Sequence, residues 1–463
     1  MVDAHLLARL DEGVYSAELI LGELLSHRFI TECRYADVGP PAGTPSKRSQ
    51  TGAEACIGWA VVTSEADEQG IQSIVYADEK QFFVTGTFGN RTEIAQHDMS
   101  GTSYDELGPC QAGEQRRLDA VAGQVAEAWG ADIFVTERPY LFESRIDFAQ
   151  GTTILRPVDA LPVVALYLRA QAVYMIQCGL NGHDTLTTSK GGFYLIGAHE
   201  LLPASWRWYA ACAKEVLIGK GDDRLLYLAQ SLLQRVQHAL EARDAVHCTL
   251  NRPQNNDSTN TALSDLNTVA ILLMGAVDAA ARVAHLTLKM PENKLRRASW
   301  QERQNKGWLE QVRGLSAALA DTVSNGADGE HVLTVLRSVR NSVHGEALQG
   351  LTINGIGGHV ATTLIGLPRE DISEVMTALT ALGGSAAWGV QRKTAHELFV
   401  EPGVFLEQLF PRVLTLLNLM MEKTPVENLP NYNLTLADTL PPTDPMGMFS
   451  ELNRLSIRWQ LGF

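Results

Sequence analysis

A chain of 463 residues, 45% hydrophobic and 20% charged, is too long for one ordinary core and too apolar to be disordered, so two or three globular domains are expected. A formal net charge of −15 excludes a protein whose whole surface grips nucleic acid, because phosphate contacts need clustered Lys and Arg; a local basic patch stays open. The six cysteines are scattered, with none at the spacing of a metal knuckle, which suits a reduced, cytoplasmic chain better than a disulfide framework.

The N-terminus, MVDAHLLARLDEG, carries acids and lacks the apolar run of a secretory leader. Residues 1–29 place Leu6, Leu7, Leu10, Leu21, Leu24 and Leu25 at near-helical spacing. A breaker-rich loop follows at 38–52, then three strand-like runs, IGWAVVTS, IQSIVYAD and QFFVTGTF. Residues 111–130 read as a helix and ADIFVTE at 131–137 as a buried strand, so residues 1–153 are expected to form a mixed α/β domain. Helical patterns then dominate, at 157–179, 203–219, 222–246, 262–290, 299–322, 331–348, 369–383 and 403–423. The polar segment NRPQNNDSTNT separates a helical connecting region, 154–250, from a third part, 251–463, with a Pro-rich tail from 424. Two short pieces, GLTING and ATTLIGLP, suit a hairpin. The longest apolar stretch, AILLMGAVDAAARVAHL, contains Asp278 and Arg282 and reads as a core helix, so no membrane span is expected. The fold class predicted is α+β, a mixed α/β N-terminal domain followed by a mainly helical bundle.

The segment EHVLTVLRSVRNSVHGEALQG carries the densest chemistry. Val332, Leu333, Leu336, Val339 and Val343 make an apolar stripe, and Gly350 is a plausible stop. At about 100° per residue, Arg337 and His344 are nearly eclipsed, while Arg340 lies one turn from His344 with Asn341 beside it. A guanidinium can hold phosphate oxygens and stabilise developing charge. An imidazole can move a proton near neutral pH, and an amide can orient either group. That combination suits phosphodiester cleavage without a metal; a plain solvated helix face is the competing reading.

The string LRSVRNSVHGEAL resembles the signature helix of HEPN-domain proteins, in which an Arg is followed, after four to six residues, by His, with a polar residue usually next to the Arg. Arg337 and His344 enclose six residues and meet the spacing; Arg340–Asn341 supplies the Arg–polar pair, with only three residues between Arg340 and His344. The resemblance covers about a third of the chain. It implies a bundle of four or five helices, which 262–423 can supply. It also implies RNA as substrate, no cofactor, and a homodimer whose two motif helices face one another. Arg337, Arg340, Asn341 and His344 would be the catalytic set. A toxin or phage-defence effector under a protein regulator is the setting it implies. Relatives of this fold also serve as non-catalytic binding or assembly modules, which stays the alternative.

Between residues 289 and 313 seven basic side chains face three glutamates, and Lys294, Arg296, Arg297, Arg303 and Lys306 are candidates for tracking an RNA backbone. Trp300 and Trp308 are interleaved, either as stacking platforms or as core residues under a solvated face. In the N-terminal part, a helix bearing Asp119 leads into the strand ending at Thr136–Glu137. This resembles the C-terminal portion of a PIN-type nuclease domain, where a helix Asp precedes an apolar strand and a Thr-x-Asp. The resemblance implies a divalent metal held by acids, here Asp119 and Glu137, and a third reading of the chain as a metal-dependent nuclease. Arg138 stands where the last Asp would be, and Asp37 and Asp78 are candidates for the first-strand acid. The same resemblance also allows a copy kept for shape alone.

Overall fold

The computed structural model describes the chain except residues 7–9, 11–15, 38–57, 63–71, 78–79, 86–88, 99–102, 179–183, 220–222, 301, 325, 342–346, 354–361, 394–396, 430–433 and 442–446. For residues 58–59, 61–62, 72–77, 80–85, 89–90, 178, 184, 302–306, 370 and 392–393 it describes the backbone alone. The protein is α+β and divides into two compact units, one holding residues 1–177 with two short later segments, the other holding nearly all of 187–458. The region 154–250 is thus shared between them.

The first unit is built on a seven-stranded sheet. Its strands are β1 (Val2–Asp3), β2 (Cys33–Ala36), β3 (Gly58–Val62), β4 (Gln72–Ala77), β5 (Lys80–Thr85), β6 (Ile133–Val135) and β7 (Thr153–Leu155), in the order β5-β4-β3-β2-β1-β6-β7. Strands β3, β2, β1, β6 and β7 run parallel; β4 and β5 add an antiparallel edge. Parallel strands need both faces covered, and alternation along them supplies the two apolar faces. Val2 and Val135 pack with Leu21 and Leu24 of α1 (Ala17–Leu25), on the same side as a later helix carrying Leu161 and Leu168. Tyr35 and Phe134 point the other way, into Val121 and Val125. These come from the helix α3 (Pro109–Trp129), preceded by α2 (Gly89–His97); the helix on the first face is α4 (Pro157–Ala170). The helical pattern expected over 157–179 ends there, and its last residues form β8 (Met175–Cys178), which pairs with β9 (Asp184–Thr187). The N-terminal leucine pattern likewise includes a strand: residues 2–3 enter the sheet centre before α1 begins. A two-residue strand is too short for its alternation to compete with the leucine spacing around it.

In the second unit α5 (Lys190–Leu201) and α6 (Ala204–Leu217) pack against the long helix α7 (Arg224–Leu250), which pairs with α8 (Asn256–Thr287). Asn255 starts α8 with a capping box: its side chain accepts from the Asp257 and Ser258 amides, and Ser258 Oγ accepts from the Asn255 amide at 2.8 Å. After α9 (Glu302–Leu315), helix α10 (Asp328–Asn341) lies against α8, α11 (Ile372–Ala381) and α12 (Pro402–Lys423). Helices Asn256–Thr287 and Pro402–Asn428 have the length and apolarity of membrane spans, but most of each apolar window is buried within the unit.

The expected hairpin is present as β10 (Gln349–Ile353) and β11 (Thr362–Gly366), extended by β12 (Val390–Lys393) and β13 (Leu398–Val400) in the order β10-β11-β13-β12. Gly350 is therefore a strand residue rather than a helix stop. A Cβ there would fall 2.5 Å from Thr259 Cγ2, so glycine lets β10 approach α8 closely. Thr259 Oγ1 lies 2.8 Å from Thr352 Oγ1 and 2.9 Å from Thr363 Oγ1, fastening the sheet to the start of α8.

Candidate functional site

Helix α10 forms where its apolar stripe, Val332, Leu333, Leu336 and Val339, is buried in the second unit. Its last described turn carries Arg337, Arg340 and Asn341; His344 lies outside the described residues. Arg337 reaches α11, where its Nη2 meets Glu374 Oε2 at 3.4 Å. Arg340 Nη1 donates to Asn341 Oδ1 at 3.4 Å. On α8, burial raises the pKa of Asp278, and the opposing charges are Arg282, Arg340 and Arg235. Those arginines come from three helices, α8, α10 and α7. Arg235 can lie across α8 because Gly275 makes room, since a Cβ there would fall 1.9 Å from Arg235 Nη1. One partly buried carboxylate thus feels three guanidinium groups from three helices.

The basic segment is divided. Lys294 is half-buried and Arg296 and Arg297 are exposed on a short 3-10 helix, Glu292–Arg297. Arg303 and Lys306 lie on α9, with side chains outside the described set. Trp300 and Trp308 are buried, 5.0 Å apart edge to face, and Trp308 Nε1 donates to His285 Nδ1 at 3.0 Å. They are core residues and offer no stacking platform at the surface.

The first unit gathers a second cluster at the C-terminal ends of its parallel strands. Asp3 ends β1, Asp37 follows β2, Thr136 and Arg138 follow β6, and Asp119 projects from α3. Arg138 Nε donates to Asp3 Oδ2 at 2.5 Å, Nη2 to Asp37 Oδ2 at 2.8 Å and Nη1 to Asp119 Oδ1 at 3.3 Å. Its guanidinium also lies over the Tyr35 ring, 5.2 Å from the centroid. Thr136 Oγ1 donates to Asp3 Oδ2 at 2.9 Å, and His5 Nδ1 lies 2.9 Å from Asp3 Oδ1. Tyr104 donates to Asp119 Oδ2 at 2.8 Å. Side-chain exposure is 2% for Asp3, 0% for Asp119 and 7% for Arg138, so all three are nearly dry.

Burial pushes the Asp3 carboxyl up, but hydrogen bonds from His5 and Arg138 outweigh it and hold its pKa below the ordinary value. For Asp119 burial wins over Tyr104 and Arg138, and its pKa is raised. Burial lowers the Arg138 pKa, yet the Asp3 and Asp37 carboxylates more than reverse this and leave it raised.

Among the sequence candidates, Asp119 joins this cluster at its centre and Asp37 at its rim, while Glu137 is exposed because it alternates with the inward-facing Thr136 and Arg138. Asp78 lies outside the described residues. The first-strand acid is Asp3, which sequence reasoning missed; the Val–Asp pair ahead of a leucine-rich helix was its signal. Comparison of the chain with protein-family models, with curated proteins and with solved structures gives no match.

Proposed function

We propose that the second unit is a HEPN-like, metal-independent endoribonuclease that works as a homodimer, with phosphodiester chemistry at the C-terminal end of α10. The observation that carries this reading is that Arg235, Arg282 and Arg340, from three helices, all act electrostatically on the partly buried Asp278, and that Arg340 precedes Asn341 in the motif that runs on to His344. Three guanidinium groups acting on one carboxylate would leave positive charge for a phosphate and its developing oxyanion. His344 is the proton-transfer group in this reading, and Asn341 orients it or the phosphate. Arg340 is the better-placed phosphate ligand of the two motif arginines, because Arg337 already faces Glu374 on α11. Arg296 and Arg297 would follow the RNA backbone, and RNA with a second copy of the chain are the partners.

The test is incubation of the full chain with labelled RNA in the presence of EDTA, beside His344→Ala, Arg340→Ala and Arg337→Ala. Wild-type cleavage should survive chelation. Loss of a general acid–base group is worth about 100-fold to 10,000-fold, and His344→Ala should fall by that much. Arg340→Ala should lose more than Arg337→Ala. Equal cleavage by wild type and His344→Ala overturns the reading. RNA binding without cleavage by the wild type would instead make the cluster a phosphate-holding module.

A further inference from the structure

The PIN-type resemblance of the first unit implies a divalent cation held by acids at the C-terminal ends of the parallel strands, and the residues present do not fit one. Such a cation sits about 2.0–2.6 Å from several oxygens and commonly keeps water in its shell. Here the space among Asp3, Asp37 and Asp119 is filled by the Arg138 guanidinium, which hydrogen-bonds to all three carboxylates. The residue that should complete the acid set is itself the arginine. Glu137, the other acid after β6, is exposed. Among the described residues no group of three or more His, Cys, Asp or Glu is arranged to hold a metal.

We propose that Arg138 is a built-in replacement for the cation, so that the first unit is a metal-free scaffold of PIN-like architecture and not a nuclease. The guanidinium offsets part of the carboxylates' charge and ties β1, the end of β2 and α3 to the end of β6. A planar fork matches carboxylates arranged around it, but it offers no vacant coordination position at which water could be activated. The neighbouring donors serve the same lock: Thr136 and His5 hold Asp3, Tyr104 holds Asp119, and the Tyr35 ring lies along the guanidinium.

Mn2+ titration of the full chain, followed by electron paramagnetic resonance, tests this without RNA. Wild type and Arg138→Lys, which keeps a cation at the centre, should bind no Mn2+ that Asp3→Asn removes. Arg138→Asn leaves the carboxylates around an unfilled centre. It should bind Mn2+ in a form that the Asp3→Asn, Arg138→Asn double variant loses, and its melting temperature should rise when Mn2+ is added. Mn2+ held by the wild type and lost in Asp3→Asn overturns the proposal. An Arg138→Asn chain that neither binds Mn2+ nor regains structure with it, as read by circular dichroism, overturns it too. Neither readout depends on whether the second unit cleaves RNA.

Discussion

At the scale of single residues, the protein buries ionisable groups and then constrains them. Arg138 and its carboxylates are one case; His199 in the second unit is another. Its ring stacks on Trp206 at 4.2 Å, meets Phe449 edge to face, and has Ser205 Oγ 3.1 Å from Nδ1. Burial lowers its pKa from 6.5 to about 4. A histidine whose folded pKa is depressed binds protons first in the unfolded chain, so stability is intact above pH 6.5 and drains away as pH falls toward 4. The loss should reach roughly 3 kcal/mol, because each tenfold change in proton affinity is worth about 1.4 kcal/mol. Denaturant unfolding of the second unit across this window should show that slope, and His199→Gln should flatten it. An unchanged slope in the variant would assign the loss to other groups.

At the scale of elements, one glycine lets an arginine of α7 lie close across α8. Gly275 sits under the Arg235 guanidinium, whose Nε donates to Ser231 Oγ at 3.2 Å within its own helix. Alanine at 275 would displace the far end of a flexible side chain, which it can do at small cost, and alanine is favoured over glycine in a helix by roughly 0.5–1 kcal/mol. Gly275→Ala should therefore keep or slightly raise the melting temperature of the second unit while lowering the proposed RNA cleavage, because Arg235 would move away from its place across α8. Calorimetry and the cleavage assay on the same preparation separate the two effects. A variant that keeps full activity would remove Arg235 from the proposed site.

At the scale of the whole molecule, two units each own a core, one around a mostly parallel sheet and one around the α7–α8 pair. The candidate chemistry is divided in the same way, with the arginine-locked carboxylates in the first unit and the arginine-rich end of α10 in the second. A net charge of −15 opposes RNA over most of the surface, so the proposed RNA binding would have to concentrate on local basic ground. If two copies of α10 complete the site, specific cleavage activity should rise with protein concentration through the range where sedimentation detects dimer formation. Full activity in a chain that sediments as a monomer at every concentration would count against the dimer.

Most of the helices are legible in the amino-acid pattern, because a long amphipathic period announces itself locally: 109–129, 224–250, 256–287 and 402–423 lie close to where periodicity places them. So are the α+β class, the hairpin at 349–366 and the run of polar side chains on α10. Helix α5 is not legible, since KGGFYLIGAHEL mixes glycines with aromatics and has no clear stripe. The role of Asp3 also escapes, because it depends on a two-residue strand whose paired residues in β2 and β6 are 32 and 133 positions away. Spacing along a chain reports which side chains share a helix face. It says nothing of which carboxylates meet across parallel strands, or that Arg337 turns to Glu374 while Arg340 acts on Asp278. Those meetings are set by which elements pack together, and packing is decided by burial summed over the whole unit rather than by any local segment.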